Sequence, residues 1–213
     1  SNNEIVAFDS SLDSLKLGSE FAKKNNLKNV KFVRGDIFDE VFSSEVFDFV
    51  ITNGVLHHTG NAKKAFNKVC LPLKKGGHVF LGLYNRYGRI RTIARKYLNK
   101  ILGKQILFLL DPVLRKIPKN STEKINAWIK DQYFHPIESL HTFDEVLNWF
   151  ENNNIDFVSS IPQCNPYEII KNDPFLKQSK GTSSERVFAQ LIMIFNHFGS
   201  EGGLFIFSGK KVR

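Results

Sequence analysis

Two apolar runs separated by one amphipathic stretch constrain this chain more than anything else in it. Residues 46–52 are almost wholly apolar and run into Asn53-Gly54. Over 61–73, Ala62, Ala65, Phe66, Val69, Cys70 and Leu73 fall at the three-to-four spacing of one helix face. Gly76-Gly77 then predicts the end of that helix, since a left-handed backbone often closes one. Residues 78–84 form a second apolar run. Strand, helix and strand in that order make a crossover unit, in which the two strands run parallel.

The same grammar extends upstream. Residues 4–8 predict a strand ending at Asp9. Ser10 and Asp13 have the spacing of a capping box and predict a helix over 11–25, stopped by Asn25-Asn26. Residues 30–33 predict another strand, followed by Arg34-Gly35-Asp36. Residues 1–85 thus predict an α/β fold with a mostly parallel sheet and helices on both faces.

Downstream, Gly103, Pro112 and Pro118 divide residues 86–131 into two or three helices, whose interleaved Ile90, Ile93, Tyr97, Leu98, Ile101 and Leu102 are expected to bury one side. Thr142 and Glu145 form a second capping-box pattern, opening a helix that buries Phe143, Val146, Leu147 and Phe150. A strand follows over 155–161, then a polar loop over 163–182. A helix over 184–198 is expected to turn Val187, Leu191, Ile194, Phe195 and Phe198 inward. Gly202-Gly203 leads into a last strand over 204–208. The 213 residues read as one domain, with 86–135 a basic helical insert or lid.

Net charge is +9, and its placement is uneven. Arg86, Arg89, Arg91, Arg95, Lys96, Lys100, Lys104, Arg115, Lys116 and Lys119 stand against a single acid, Asp111, within residues 86–119. The rest of the chain is balanced. This segment suits an acidic substrate, an anionic membrane surface, nucleic acid, or simply a solvated helical face. The two cysteines, Cys70 and Cys164, are too few for a disulfide framework or a zinc site and fit a reducing cytoplasm. No metal site is expected. No run approaches the roughly 18 apolar residues of a membrane span, and the first residues do not read as a signal peptide.

The Asn53-Gly54-Val55-Leu56 block, the Lys-Lys-Gly-Gly block at 74–77, Asp9 and Asp36 together resemble the class I S-adenosylmethionine-dependent methyltransferases. The resemblance implies a Rossmann-like sheet with an antiparallel last strand, a methyltransferase activity, and S-adenosylmethionine as cofactor. It implies that Asp9, with Ser10, takes the ribose diol, and that Asp36 and the Ile37 amide meet the adenine. Asn53, Gly54 and Val55 would then lie beside the methionine part. From the residues alone, Asp9 could equally be a helix N-terminal acid, and Asp36 a turn acid. His57, His58, Tyr84, Asn85 and His135 are the candidates for facing the acceptor, each with a packing role as its rival. The histidines lack the helical spacing of metal ligands, and no Ser and Asp stand at a triad spacing.

The family's first strand, its Gly-x-Gly-x-Gly loop and the next helix are not found in these residues. That predicts a truncated form with weak or no cofactor affinity, and self-association into a homo-oligomer through exposed strand edges. A small-molecule acceptor is expected. Nucleic acid is disfavoured, because Asn53 is followed by Gly-Val-Leu rather than Pro-Pro-aromatic. Two rivals stand beside this reading. One is a non-catalytic module using its basic helices on an anionic partner. The other is an NAD-type nucleotide-binding enzyme, for which the Tyr-x-x-x-Lys pair is missing.

Overall fold

The computed structural model describes residues 3–169, 173, 175–195 and 202–212. β1 (Ile5–Asp9) and β2 (Val30–Arg34) pair in parallel around the crossover helix α1 (Leu12–Lys24). A second sheet is built from β3 (Phe47–Asn53), β4 (Leu73–Tyr84), β5 (Ile155–Ile161) and β6 (Leu204–Lys211), in the spatial order β3-β4-β6-β5. β3 and β4 are parallel, whereas β6 runs antiparallel to both of its neighbours. Among the described residues β1 pairs only with β2, and β3 pairs only with β4. The segment after β2 bridges the two sheets. Ile37 and Phe38 pack on the main core, and Phe42 sits edge-on to both Phe8 and Phe47.

That core is aromatic. α2 (Ala62–Cys70) and α6 (Phe143–Asn152) press Phe66 and Phe150 together as stacked rings, 5.5 Å between centroids. Phe143 lies 5.1 Å from both Phe205 and Phe207 of β6. Burying each such ring contributes about 1.5–3 kcal/mol. α6 starts as its sequence predicts, with Thr142 and Glu145 exchanging side-chain and backbone bonds.

The sequence reading is corrected at α1, α2 and α7 (Ser183–Ile192). The N-cap of α1 is Ser11 rather than Ser10, because Ser11 Oγ accepts the Ser14 amide. α2 ends at Cys70, and Gly76-Gly77 lie inside β4 instead of closing the helix. There Leu73 pairs with Phe47 and His78 with Phe49, so residues 74–77 bulge out of register. Gly76 adopts φ +79°, and a Cβ on Gly77 would meet the Asp48 carbonyl at 2.9 Å.

α7 is the third such place. Val187, Leu191 and Phe195 face outward, whereas Ala189, Gln190 and Met193 are buried. Polar anchors set this face: Arg186 pairs with Asp144, and Gln190 Oε1 accepts from Asn85 and from the Phe143 amide. Phe198 lies outside the described residues.

Residues 86–135 do form three helices, α3 (Ile90–Leu102), α4 (Gln105–Leu110) and α5 (Thr122–Phe134). They share a small core of their own, made by Leu107, Leu114, Ile125, Ile129 and Tyr133. α3 is turned inside out. Thr92 and Asn99 are buried, while Tyr97, Ile101 and Leu102 are 61%, 78% and 61% exposed.

Candidate functional site

Parallel pairing brings the two predicted carboxylates to one end of one sheet. Asp9 stands opposite Arg34, and the Gly35 amide donates to the Asp9 carbonyl at 3.2 Å. Both acids are exposed. Each accepts the backbone amide two residues on, Ser11 to Asp9 Oδ1 at 2.8 Å and Phe38 to Asp36 Oδ1 at 2.9 Å. These local bonds fix the carboxylates where their strands stop. Ser10 is exposed beside them and its carbonyl accepts Arg34 Nε, while Ile37 is half-buried against the core.

Asn53, Gly54 and Val55 occupy the carboxyl end of β3, on the other sheet. Gly54 has φ +77°, its amide donates to the Gly82 carbonyl, and the space a Cβ would enter is open. The Asn53 side chain lies across Gly82, whose Cβ would stand 1.8 Å from Asn53 Oδ1. Gly82 therefore makes room for Asn53.

The acceptor-side candidates cluster at the end of β4. Past β3, residues Leu56–His58 form a 3₁₀ turn. His57 packs on Tyr84 and His58 with ring centroids 4.1 Å away in both cases. His58 stacks on His135 at 3.7 Å. Both His58 Nδ1 and His135 Nδ1 contact the Ile137 carbonyl, at 2.9 and 2.6 Å. A carbonyl only accepts, so neutral His58 carries its proton on Nδ1 and keeps a lone pair on Nε2. His57 is fully buried, and neither of its ring nitrogens has a hydrogen-bond partner among the described residues. Burial, helped by the nearby His58, Arg89, His141 and His135, pushes His57 down to about 2. It stays neutral at any ordinary pH. Asn85 belongs to this strand end but is buried, and its amide is committed to Gln190, Tyr87 and Gly88. It holds the chain in place rather than facing an acceptor.

Composition hid several members of this cluster. Arg89, counted above only as part of the basic run, is 1% exposed. Its guanidinium lies 4.0 Å from the Tyr84 ring centre and pairs with Glu138 at 2.7 Å. Gln132 Oε1 accepts from Arg89, and Gln132 Nε2 donates to the Tyr84 hydroxyl at 3.1 Å. Ser139 joins the His57 carbonyl to His141. A signal existed in the polar string at 135–141, where His135, Glu138, Ser139 and His141 crowd between two helices. Burial lowers the affinity of His141 for a proton, and Glu145 opposes that shift.

The family described as "Methyltransferase domain" matches residues 1–154. The uncharacterized methyltransferase YcgJ of Bacillus subtilis is 27% identical over 78 residues, 37% of this chain and 31% of that protein. PKMT2 of Rickettsia typhi, solved in complex with AdoHcy, superposes over 99% of this chain and 44% of its own, with TM-score 0.67 at 14% identity. A SAM-dependent methyltransferase of Methanosarcina mazei covers 98% of this chain and 82% of its own, with TM-score 0.55 at 11% identity. The chain thus spans less than half the length of the first two.

Proposed function

This chain belongs to the methyltransferase-domain family, and from that premise we propose that it is an S-adenosylmethionine-dependent methyltransferase. The observation that carries the reading is the pair of exposed carboxylates, Asp9 and Asp36, fixed at the ends of two paired parallel strands. Neither forms an ion pair among the described residues. Ligands of open α/β sheets bind outside the carboxyl ends of the strands. The residues fit the cofactor. Asp9 would hold the ribose diol, Asp36 and the Ile37 amide the adenine. Asn53, Gly54 and Val55 would line the methionine part, where the open side of Gly54 permits close approach.

Bound there, S-adenosylmethionine would supply a methyl group on a sulfonium, a good leaving group, for the acceptor's lone pair. The chain's main task is to hold the partners in line. Arg89 and Gln132 fix the Tyr84 ring and hydroxyl. His57, kept neutral, adds no positive charge beside a sulfonium. His58, with a lone pair left on Nε2, would take the proton that the acceptor loses.

Saturation-transfer NMR with S-adenosylhomocysteine tests this, because it detects millimolar affinities. Signal on the adenosine protons is expected, and Asp9→Asn or Asp36→Asn should weaken binding about tenfold, the loss of one charge-assisted bond. No transfer, or equal transfer in all three proteins, sinks the reading. A second reading is favoured by the outward apolar face of α3, rimmed by Arg91, Lys100 and Lys104: attachment to an anionic membrane surface.

A further inference from the structure

A partly open cavity of about 390 Å³ lies between α3, α5, the link from α4 to α5 and Gly202. We propose that it is the acceptor pocket, and that it takes a small molecule with an apolar body and one anionic head, carboxylate or phosphate. The assignment rests on the reading that transfer occurs at the end of β4. Gln132 supplies the connection, since it lines the cavity and donates to the Tyr84 hydroxyl at 3.1 Å.

The polar inventory of the cavity is what selects an anion. Trp128, Tyr133, Pro112 and Val113 give it apolar walls. Its one acid, Asp111, is 2% exposed and already saturated. Asp111 Oδ2 accepts Trp128 Nε1 at 3.0 Å and the Tyr133 hydroxyl at 2.6 Å. Asp111 Oδ1 accepts the amides of Val113 and Leu114 at 2.7 and 3.2 Å. Burial alone would raise its pKa, but these four donors outweigh burial and hold it below the usual carboxylate range. Asp111 is therefore an internal strut that fixes the indole and the phenol, with no lone pair left for a cationic ligand. The remaining charges lining the cavity are Arg95 and Lys116. Neither forms an ion pair among the described residues, although Arg95 also interacts with the Tyr133 hydroxyl and Lys116 is exposed at the mouth. With the lone pairs of Asp111 already taken, two cations and one carboxylate leave the lining net positive beside apolar walls, which matches a compact anionic ligand. A neutral molecule would gain nothing from Arg95 and Lys116, and a cation would be repelled.

Phenyl phosphate and benzoate are suitable probes, with benzyl alcohol as the neutral counterpart, and Trp128 reports binding by fluorescence. Saturable quenching is expected with the two anions, at least about tenfold tighter than with benzyl alcohol. Arg95→Gln with Lys116→Gln should remove that preference. Lys100→Gln with Lys104→Gln takes the same charge from the same segment outside the cavity, and should change binding less than about twofold. Lys116→Glu should reverse the preference, weakening phenyl phosphate and admitting benzylamine. Equal loss in both double variants would mean diffuse electrostatics and overturn the proposal, as would equal binding of benzyl alcohol or no saturation. S-adenosylhomocysteine binding is measured on the same samples. Its loss with anion binding intact would sink the methyl-transfer reading and leave the anion site standing, and the reverse result would do the opposite.

Discussion

His57 carries a pH dependence that a single substitution can isolate. Its folded pKa is pushed down to about 2 from an ordinary 6.5, mainly by burial. Between those values the unfolded chain binds one proton more than the folded chain. Stability is therefore flat above about 6.5 and falls as the pH drops below it, by up to about 1.4 kcal/mol per unit from this group. Urea midpoints taken between pH 7 and pH 4 should show a shallower loss in His57→Phe than in the parent. Identical slopes would mean that His57 is protonated in the folded state. A second residue-scale test concerns Asn53. Gly82→Ala forces the exposed Asn53 side chain to turn away and brings a methyl 3.1 Å from Asn53 Cα, a strain of about 1 kcal/mol. Combining it with Asn53→Ala should return part of that loss, a coupling read from a double-mutant cycle of denaturation midpoints. Residues of this kind were unevenly legible. The position of Asp9 and Asp36 at the ends of two paired strands could be read, because an acid just past an apolar run needs no partner to be noticed. Arg89 could not, because nothing in a run of basic side chains says which one turns inward onto Tyr84 and Glu138.

Elements declared themselves where periodicity and capping agreed, as in α6, whose Thr142–Glu145 box and apolar stripe point the same way. They misled where one residue type serves two purposes. Gly76-Gly77 has the look of a helix stop and works instead as a bulge, because β4 must shift register against β3 after Phe47. In α7 the apolar residues alone gave the wrong face, since Arg186 and Gln190 are tied down by Asp144 and Asn85. α3 is the sharpest case, for its buried positions are Thr92 and Asn99 while Ile101 is 78% exposed. Replacing Ile101 and Leu102 with Ser should then alter stability by no more than about 0.5 kcal/mol each, the range of surface changes. The same double variant should sediment less with phosphatidylserine vesicles than the parent if this face meets an anionic membrane. A large stability loss would show that the face is packed, and unchanged sedimentation would remove the membrane contact.

At the scale of the whole molecule, stability is distributed very unevenly between the two sheets. The main core draws its buried residues from Leu56 onward, and within residues 3–34 only Leu15 and Ala22 are buried hydrophobics. A two-stranded sheet is marginal without further cover, and β1 is bonded only to β2 among the described residues. Leu17 and Phe21 of α1 and Ile5 of β1 are 69%, 63% and 50% exposed, as is Ile51 of β3 at 73%. The β1–α1–β2 unit should therefore open at a lower free energy than β4 and β6, which are paired along their lengths and covered by α6. Hydrogen exchange followed by mass spectrometry reads this directly, and peptides over 5–34 should exchange well before those over 78–84 and 204–211. The consequence for function follows from where the carboxylates sit. Asp9 and Asp36 belong to the weakly held unit, while Asn53 and Gly54 belong to the strongly held one. A ligand that grips both must oppose the opening of the first, and binding to the closed form alone stabilises it by mass action. Adding S-adenosylhomocysteine should slow exchange over 5–38 and leave 204–211 almost unchanged. Uniform slowing of both regions, or protection confined to the four-stranded sheet, would show that the two carboxylates do not hold the ligand.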